Sequence, residues 1–207
     1  MKARSRLKSI FNTTGVANGL ALLAAAIYLV QTVYYALTQI SMLDEGQYLY
    51  KGLLYATGIY RPFQDYGFWT HKAPLSYLIP GFIQAWFGPG LLTGRIFGIL
   101  ISVLGLCGLW MAARKLGGNG WAAAATWAMA LNPAIVKFYS IASAEGLVSC
   151  LLIWSVFFAV GEKRPFYQLA ISAILATVAG LCRQNMLPFL PILLLYIWWQ
   201  HGWRSFA

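Results

Sequence analysis

The sequence predicts an all-α protein, a polytopic bundle of about six transmembrane helices with juxtamembrane helices in a long first external loop. Of its 207 residues, 60% are hydrophobic and 10% are charged, whereas soluble domains average about 45–50% apolar and about 25% charged residues. The apolar residues are gathered into runs near the ~20 residues that a spanning helix needs. The mean hydropathy of +0.65 agrees. These observations exclude a soluble enzyme, a secreted module and a disordered chain.

The charged residues and the cysteines give further information on the class of membrane protein. The net charge of +10 comes from 15 basic and five acidic residues. Because the basic residues stand mostly at the ends of apolar runs, we interpret them as signals for orientation in a bilayer, and we expect no nucleic-acid partner. Cys107, Cys150 and Cys182 lie inside apolar runs without metal-ligand spacing, which indicates membrane-buried thiols.

The first third of the chain predicts one span followed by a surface region. The run 16–40 follows a basic N-terminus, is too long for a signal peptide and has no small-residue cleavage site, so it predicts a retained helix. Residues 41–73 are too polar to span and too aromatic for a solvated linker. The segment 74–88 is apolar but short and contains Pro80, which is typical of an interfacial helix that does not cross.

The remaining spans are predicted over 91–112, 121–137, 146–160, 166–181 and 186–199. If 74–88 does not cross, nine basic residues fall on the cytoplasmic side and six on the other side, in agreement with the positive-inside rule. Both termini of this chain are then cytoplasmic, in the plasma membrane. The nine are Lys2, Arg4, Arg6, Lys8, Arg114, Lys115, Lys163, Arg164 and Arg204, and the six are Lys51, Arg61, Lys72, Arg95, Lys137 and Arg183.

This topology places most of the charged candidates on the non-cytoplasmic side, and ionisable groups near a bilayer are costly unless paired or functional. Asp44 and Glu45 directly follow the first helix, where they predict either a general base with a neighbour or an acidic pair marking the interface. His71 and Lys72 precede Pro74, which opens a helix whose N-terminus attracts anions. They predict either a phosphate site or interfacial anchors.

Two further residues have open interpretations. Glu145 lies two residues after Ser143, so it predicts either a site carboxylate or a first-turn acid in a helix that Ser143 caps. Arg183 stands alone before the last span and predicts either an interfacial anchor or a grip on a lipid phosphate. The spacings Gly94/Gly98 and Gly105/Gly108 predict close helix packing.

Short motifs follow one another between residues 43 and 145, and their order is more specific than any one of them. They are Leu43-Asp44-Glu45, His71-Lys72-Ala73-Pro74-Leu75, Trp86-Phe87-Gly88, Gly94-Arg95, Ala113-Arg114-Lys115-Leu116-Gly117 and Ser143-Ala144-Glu145. Together they resemble the N-terminal half of membrane glycosyltransferases of the GT-C superfamily, in the protein O-mannosyltransferase-like and aminoarabinose-transferase-like branch. Ala73 departs from the proline of that pattern, and Glu145 stands where aspartate is commoner.

The resemblance implies transfer of a sugar from a polyprenyl-phosphate carrier to a glycan, lipid or protein acceptor on the outer face. It implies catalytic roles for Asp44, as the base, and for Glu45. It implies substrate binding by six residues: Asp65, His71, Lys72, Arg95, Glu145 and Arg183. It assigns no certain cofactor and leaves a divalent metal open.

Residues 1–207 are predicted to be one membrane domain, with 41–90 as its external catalytic loop. Because members of the superfamily carry more spans, we expect this chain to be part of a longer membrane core and to be inactive alone if so. The alternatives are a transporter or channel subunit, which needs polar groups along the spans, and a non-catalytic scaffold. Clustering of Asp44, Lys72, Glu145 and Arg183 at one end would favour the transferase.

Overall fold

The computed structural model describes residues 14–67, 74–162 and 164–202. This part of the chain is helical and contains no strand, which confirms the predicted all-α class. A 3₁₀ turn, Gln184–Met186, separates the last two helices. The helices in order are α1 (Thr14–Thr38), α2 (Leu43–Ala56), α3 (Leu75–Phe87), α4 (Leu91–Ala130), α5 (Pro133–Tyr139), α6 (Ala144–Ala159), α7 (Phe166–Cys182) and α8 (Phe189–His201).

The long apolar helices are those expected of a membrane bundle. In the described part of the chain, α1 and α4 are each long and apolar enough to span a bilayer, and α5 with α6 forms a third candidate bent by 106°. The predicted run 121–137 is divided because Pro133 opens a new helix, whose first turn is capped by the Asn132 side chain. The helical bundle is therefore confirmed, whereas the number of six spans stays a prediction.

Helix α4 continues where the sequence predicted a break. Residues 114–117 remain helical, and the chain leaves helical geometry only at Gly118, whose φ is 81° and ψ is −171°. That backbone conformation lies where glycine meets no steric cost from a side chain. Gly118 therefore divides α4 into a long arm over 91–117 and a short arm over 119–130, and reorients the chain without a loop.

The bundle has two chemically different ends. Arg95 and Lys115 lie 20 positions apart on the long arm of α4, so they are separated by about 30 Å, which is also the thickness of a bilayer core. We call the end that holds Arg95 the acidic end and the end that holds Lys115 the basic end. Glu45 pairs with Arg95, and Asp44, Glu145 and Arg183 lie near this pair, so these charged groups share the acidic end.

Helices α2 and α3 cross with their backbones in contact. A Cβ atom on Gly81 would lie 2.0 Å from the carbonyl oxygen of Gly52, and one on Gly52 would lie 2.5 Å from the carbonyl oxygen of Tyr77. With 13 residues, α3 is about 20 Å long, which is shorter than a bilayer core. The predicted short helix over 74–88 is therefore present, and it packs against α2 at Gly52.

A second close approach joins α4 to the segment before α6. A Cβ atom on Gly98 would lie 2.8 Å from the carbonyl oxygen of Ile141, and one on Gly94 would lie 2.9 Å from the Cβ atom of Ala142. The packing role predicted for Gly94 and Gly98 is thus confirmed. It brings residues 141–142 against the first turns of α4, next to Arg95.

Candidate functional site at the acidic end

The charged residues of the acidic end form two ion pairs of unlike exposure. Arg95 pairs with Glu45 in the interior, where their side chains are 4% and 0% exposed. Arg183 pairs with Glu145 nearer the surface, where their side chains are 39% and 35% exposed. The first pair is closed to solvent, whereas a ligand could reach the second.

The buried pair is bidentate. Arg95 donates from Nε to Oε1 of Glu45 over 2.9 Å and from Nη2 to Oε2 over 2.8 Å. Its Nη1 donates to the carbonyl oxygens of Ala36, at 2.7 Å, and Gln39, at 2.9 Å. Two parallel bonds between a guanidinium and a carboxylate fix both groups in one plane. Arg95 therefore ties the end of α1 to the start of α2.

Glu45 has further partners. Its Oε1 accepts a hydrogen bond from the backbone amide of Ala142 over 3.0 Å, and its Oε2 accepts one from the amide of Met42 over 3.1 Å. Burial by itself would raise the pKa of Glu45, but the hydrogen bonds from Arg95, Ala142 and Met42 together hold that pKa below its usual value. Glu45 is therefore a carboxylate, and it joins α2 to the segment before α6.

The exposed pair lies where α6 begins and α7 ends. Glu145 is in the first turn of α6, and a guanidinium nitrogen of Arg183, the residue after α7, donates to its Oε1. Ser143 occupies the N-cap position of α6, but its hydroxyl donates to the carbonyl oxygen of Phe138 over 3.0 Å instead of capping the helix. The prediction that Ser143 caps α6 is therefore right about the position of Ser143 and wrong about the hydrogen bond that its side chain forms.

Asp44 differs from the other carboxylates of the acidic end. It is exposed in the first turn of α2, and no other described residue forms a hydrogen bond or an ion pair with it. Tyr48 follows it by one helical turn and interacts electrostatically with Asp44, Glu145 and Arg183. Arg183 interacts with Asp44 and Tyr48 as well. The four side chains therefore form one cluster, which we call the charged cluster.

A chain of tyrosine rings connects the charged cluster to the loop over 57–67. Its ring centroids are separated by 5.2 Å between Tyr48 and Tyr77, 5.9 Å between Tyr77 and Tyr55, 5.4 Å between Tyr55 and Tyr60, and 4.1 Å between Tyr60 and Tyr66. Burial raises the pKa of Tyr77 to about 12. The Tyr77 hydroxyl therefore stays protonated at neutral pH, and the rings hold the loop against α2 and α3.

The remaining site predictions fall in two places. Asp65 lies in the loop over 57–67, where its Oδ1 accepts a hydrogen bond from the Gly67 amide over 2.8 Å. His71 and Lys72 lie outside the described residues, so their roles stay predictions. Among the described residues, no group of three or more His, Cys, Asp and Glu is arranged to hold a metal ion.

Sequence reasoning missed two members of the site. Tyr48 is one of many aromatic residues over 41–73 and was not singled out, although its spacing of four from Asp44 puts both on one face of a helix. The Ala142 amide carries no side-chain signal at all. Its bond to Glu45 spans 97 positions, and only the three-dimensional structure reveals such a contact.

Comparison with known protein families gives a match over about two thirds of the chain. Residues 71–207 match the family model described as dolichyl-phosphate-mannose-protein mannosyltransferase. The match includes Arg95, Glu145 and Arg183 and begins after Asp44 and Glu45. Neither a curated protein nor a solved structure matches the chain.

Proposed function

Since the chain belongs to the dolichyl-phosphate-mannose-protein mannosyltransferase family, a family of membrane glycosyltransferases, we propose that it transfers a sugar from a polyprenyl-phosphate donor to an acceptor on the non-cytoplasmic face. The acceptor is a glycan, a lipid or a protein. The charged cluster supports this proposal, because it combines a free carboxylate with a cation that a ligand can reach.

Asp44 is the proposed general base. In the proposed step, an acceptor hydroxyl gives its proton to Asp44 while its oxygen forms a bond to the anomeric carbon. The bond from that carbon to the phosphate oxygen breaks, and its electron pair leaves with the polyprenyl phosphate. Asp44 suits this role because it is exposed and is not bonded to another described residue. A base with a bound partner would first have to lose it.

Arg183 is the proposed partner of the leaving phosphate. Its guanidinium pairs with Glu145 in a half-exposed position, so a phosphate can replace that carboxylate at the cost of one charged hydrogen bond for another. Glu145, once released, can accept hydrogen bonds from sugar or acceptor hydroxyls. On the basis of the resemblance, we assign Lys72 and His71, which shortly precede α3 in the sequence, to the same phosphate and Asp65 to the acceptor.

The two ends of the bundle support the proposed orientation. Lys115 and Arg164 lie at the basic end, which the positive-inside rule assigns to the cytoplasm. The charged cluster then faces the opposite side of the plasma membrane, where acceptors are exposed. By the same argument, we propose that both termini of this chain are cytoplasmic.

The proposal is tested by sugar transfer in nanodiscs of the whole protein. We would supply polyprenyl-phosphate sugars with a labelled mannose, glucose or aminoarabinose and count label in lipid, glycan and peptide acceptors. Asp44→Asn should lower transfer by about 100-fold or more, because it removes the base without changing the shape of the side chain. Binding of a polyprenyl monophosphate should stay unchanged in that variant.

Glu162→Gln is the matched control, since Glu162 is an exposed acid away from the charged cluster. It should transfer sugar at the wild-type rate. Equal rates for Asp44→Asn and the wild type would refute the role of Asp44. Absence of polyprenyl-phosphate binding to the wild-type protein would refute the donor class.

A further inference from the structure

We propose that Glu45 and Arg95 form a positioning unit that sets the distance between Asp44 and Glu145 and makes no contact with substrate. This inference rests on the proposed function, since it assigns a role within the same site. It differs from the roles that the resemblance implied, in which Glu45 is catalytic and Arg95 holds a phosphate. The argument depends on where the two side chains lie and on what their atoms bind.

The first step concerns Asp44. Consecutive residues of an α-helix point about 100° apart, because 3.6 residues make one turn. Arg95 holds the Glu45 side chain inside the bundle at full burial. The rotation of α2 about its axis is thereby fixed, and the adjacent Asp44 is directed outward, towards the other members of the charged cluster. A change in the Glu45 position would turn the first helical turn and move Asp44 with it.

The second step concerns Glu145. The Ala142 amide, which donates to Glu45, lies three residues before Glu145 in the chain. Close contact of Gly98 with Ile141 presses the same segment against α4. The Glu45 carboxylate thus fixes the start of α2, which carries Asp44, and also the segment that leads into α6, which carries Glu145. The two acids of the proposed site are therefore set relative to each other by Glu45.

The third step excludes direct contact with a donor. The Arg95 guanidinium uses Nε, Nη1 and Nη2 in bonds to Glu45 and to two carbonyl oxygens. To bind a phosphate, it would have to leave a buried carboxylate without its cation. Breaking a buried pair in this way is strongly unfavourable. Arg183, whose pair is accessible, can bind a phosphate without that penalty.

The test separates positioning from stability with four forms of the full chain in nanodiscs: the wild type, Glu45→Leu, Arg95→Met and the double variant Glu45→Leu/Arg95→Met. Each single variant leaves one buried charge unpaired and should lower the melting temperature. The double variant leaves none, so its melting temperature should rise above that of both single variants. If the single variants fail to fold, the double variant still carries the test.

Function in the double variant is the decisive readout. We expect transfer about 10- to 100-fold slower than in the wild type, because displaced reacting groups lose rate steeply. The affinity for a polyprenyl monophosphate should not change. Amide hydrogen exchange over residues 140–147 should become faster, since the Ala142 amide has lost its acceptor. Glu162→Gln should match the wild type in all these measurements.

Three results would overturn the inference. A double variant that transfers sugar at the wild-type rate would show that the pair only stabilises the fold. Weaker binding of the polyprenyl monophosphate would show that Arg95 holds the phosphate. Unchanged exchange over 140–147 would show that Glu45 does not hold this segment. If the wild type transfers no sugar, the proposed function fails, and the exchange measurement still decides whether Glu45 positions the segment.

Discussion

The acidic and basic ends of the bundle hold their cations in different ways. At the acidic end, Arg95 and Arg183 each pair with a glutamate. At the basic end, two basic side chains bond to backbone carbonyl oxygens near the end of α6: Lys115 to that of Phe157 and Arg164 to that of Val160. A carbonyl oxygen accepts a hydrogen bond but does not neutralise the charge of the cation. A glutamate carboxylate accepts the hydrogen bond and also neutralises the charge.

This difference suits the two roles that the proposed function gives to the two ends. Cations bonded to carbonyls keep their full charge and also favour the negative end of a helix dipole, so the basic end can act in orientation. At the acidic end, the opposite charges within each of the two ion pairs cancel. Asp44 remains as a negative charge that no described residue neutralises by an ion pair. Proton transfer needs a free carboxylate, and among the described residues Asp44 combines that property with a cation, Arg183, that a ligand can reach.

The largest expected effect is the loss of the buried pair at the acidic end. Glu45→Gln should lower the free energy of unfolding by about 3–5 kcal/mol, because it leaves Arg95 buried without its counter-charge. Glu145→Gln should cost no more than about 1 kcal/mol, because its pair is half exposed. Denaturant unfolding of both variants in detergent measures the difference. Equal losses would show that burial does not distinguish the two pairs.

A smaller effect is expected at the crossing of α2 and α3, which supports the acidic end. Gly81→Ala should destabilise the protein by about 1–3 kcal/mol, because the added methyl group would meet the Gly52 carbonyl and force the helices apart. Gly19→Ala on α1 has open space around its Cβ atom and is the matched control. A melting temperature of Gly81→Ala equal to that of the control would contradict the crossing.

Acid should weaken the acidic end before the basic end. Because the folded-state pKa of Glu45 is lowered, the stability that this group contributes is present above its unfolded pKa of about 4.3 and is lost as the pH falls through the folded value. Melting temperatures measured from pH 7 downward should therefore fall less in Glu45→Gln than in the wild type. Parallel curves for the two proteins would rule out this contribution.

The smallest effect should come from the basic end. Lys115 donates to the Phe157 carbonyl over 2.9 Å and lies 4.0 Å from the centre of the Phe157 ring. Both contacts are exposed, so Lys115→Met should change the free energy of unfolding by less than about 1 kcal/mol. Its effect should instead appear in topology. Cysteine labelling at the exposed position 120, from the two sides of the membrane, would detect a change in the fraction of correctly oriented chains.

The sequence predicted the secondary-structure elements better than it predicted which charged side chains pair with each other. The short apolar segment with Pro80 gave α3 almost to the residue, since 74–88 was expected and Leu75–Phe87 is observed. The sequence also predicted the close packing of α4 at Gly94 and Gly98, because the positions of glycines, which have no side chain, can be read directly from the sequence. The break expected between the predicted spans 91–112 and 121–137 is a kink at Gly118, because one glycine suffices to redirect a helix.

The partners of the charged groups could not have been predicted. Asp44, Glu145 and Arg183 were expected to meet because one sequence topology placed them on one side. That argument could not tell which acid takes which arginine, since the pairs span 50 and 38 positions and have no local pattern. It also treated Asp44 and Glu45 alike. Only the direction of each side chain separates the exposed carboxylate from the buried one.

The bonds of Glu45 also set an order of assembly during synthesis. The chain emerges from its N-terminus onward, so α1 and Glu45 are made before any of the distant partners exists. Arg95 follows 50 positions later and the Ala142 amide 97 positions later. Until then the carboxylate must stay in water at the membrane surface, because a lone charge is costly inside. The start of α2 therefore reaches its final place only once α4 has been inserted, and it is locked when the segment before α6 arrives.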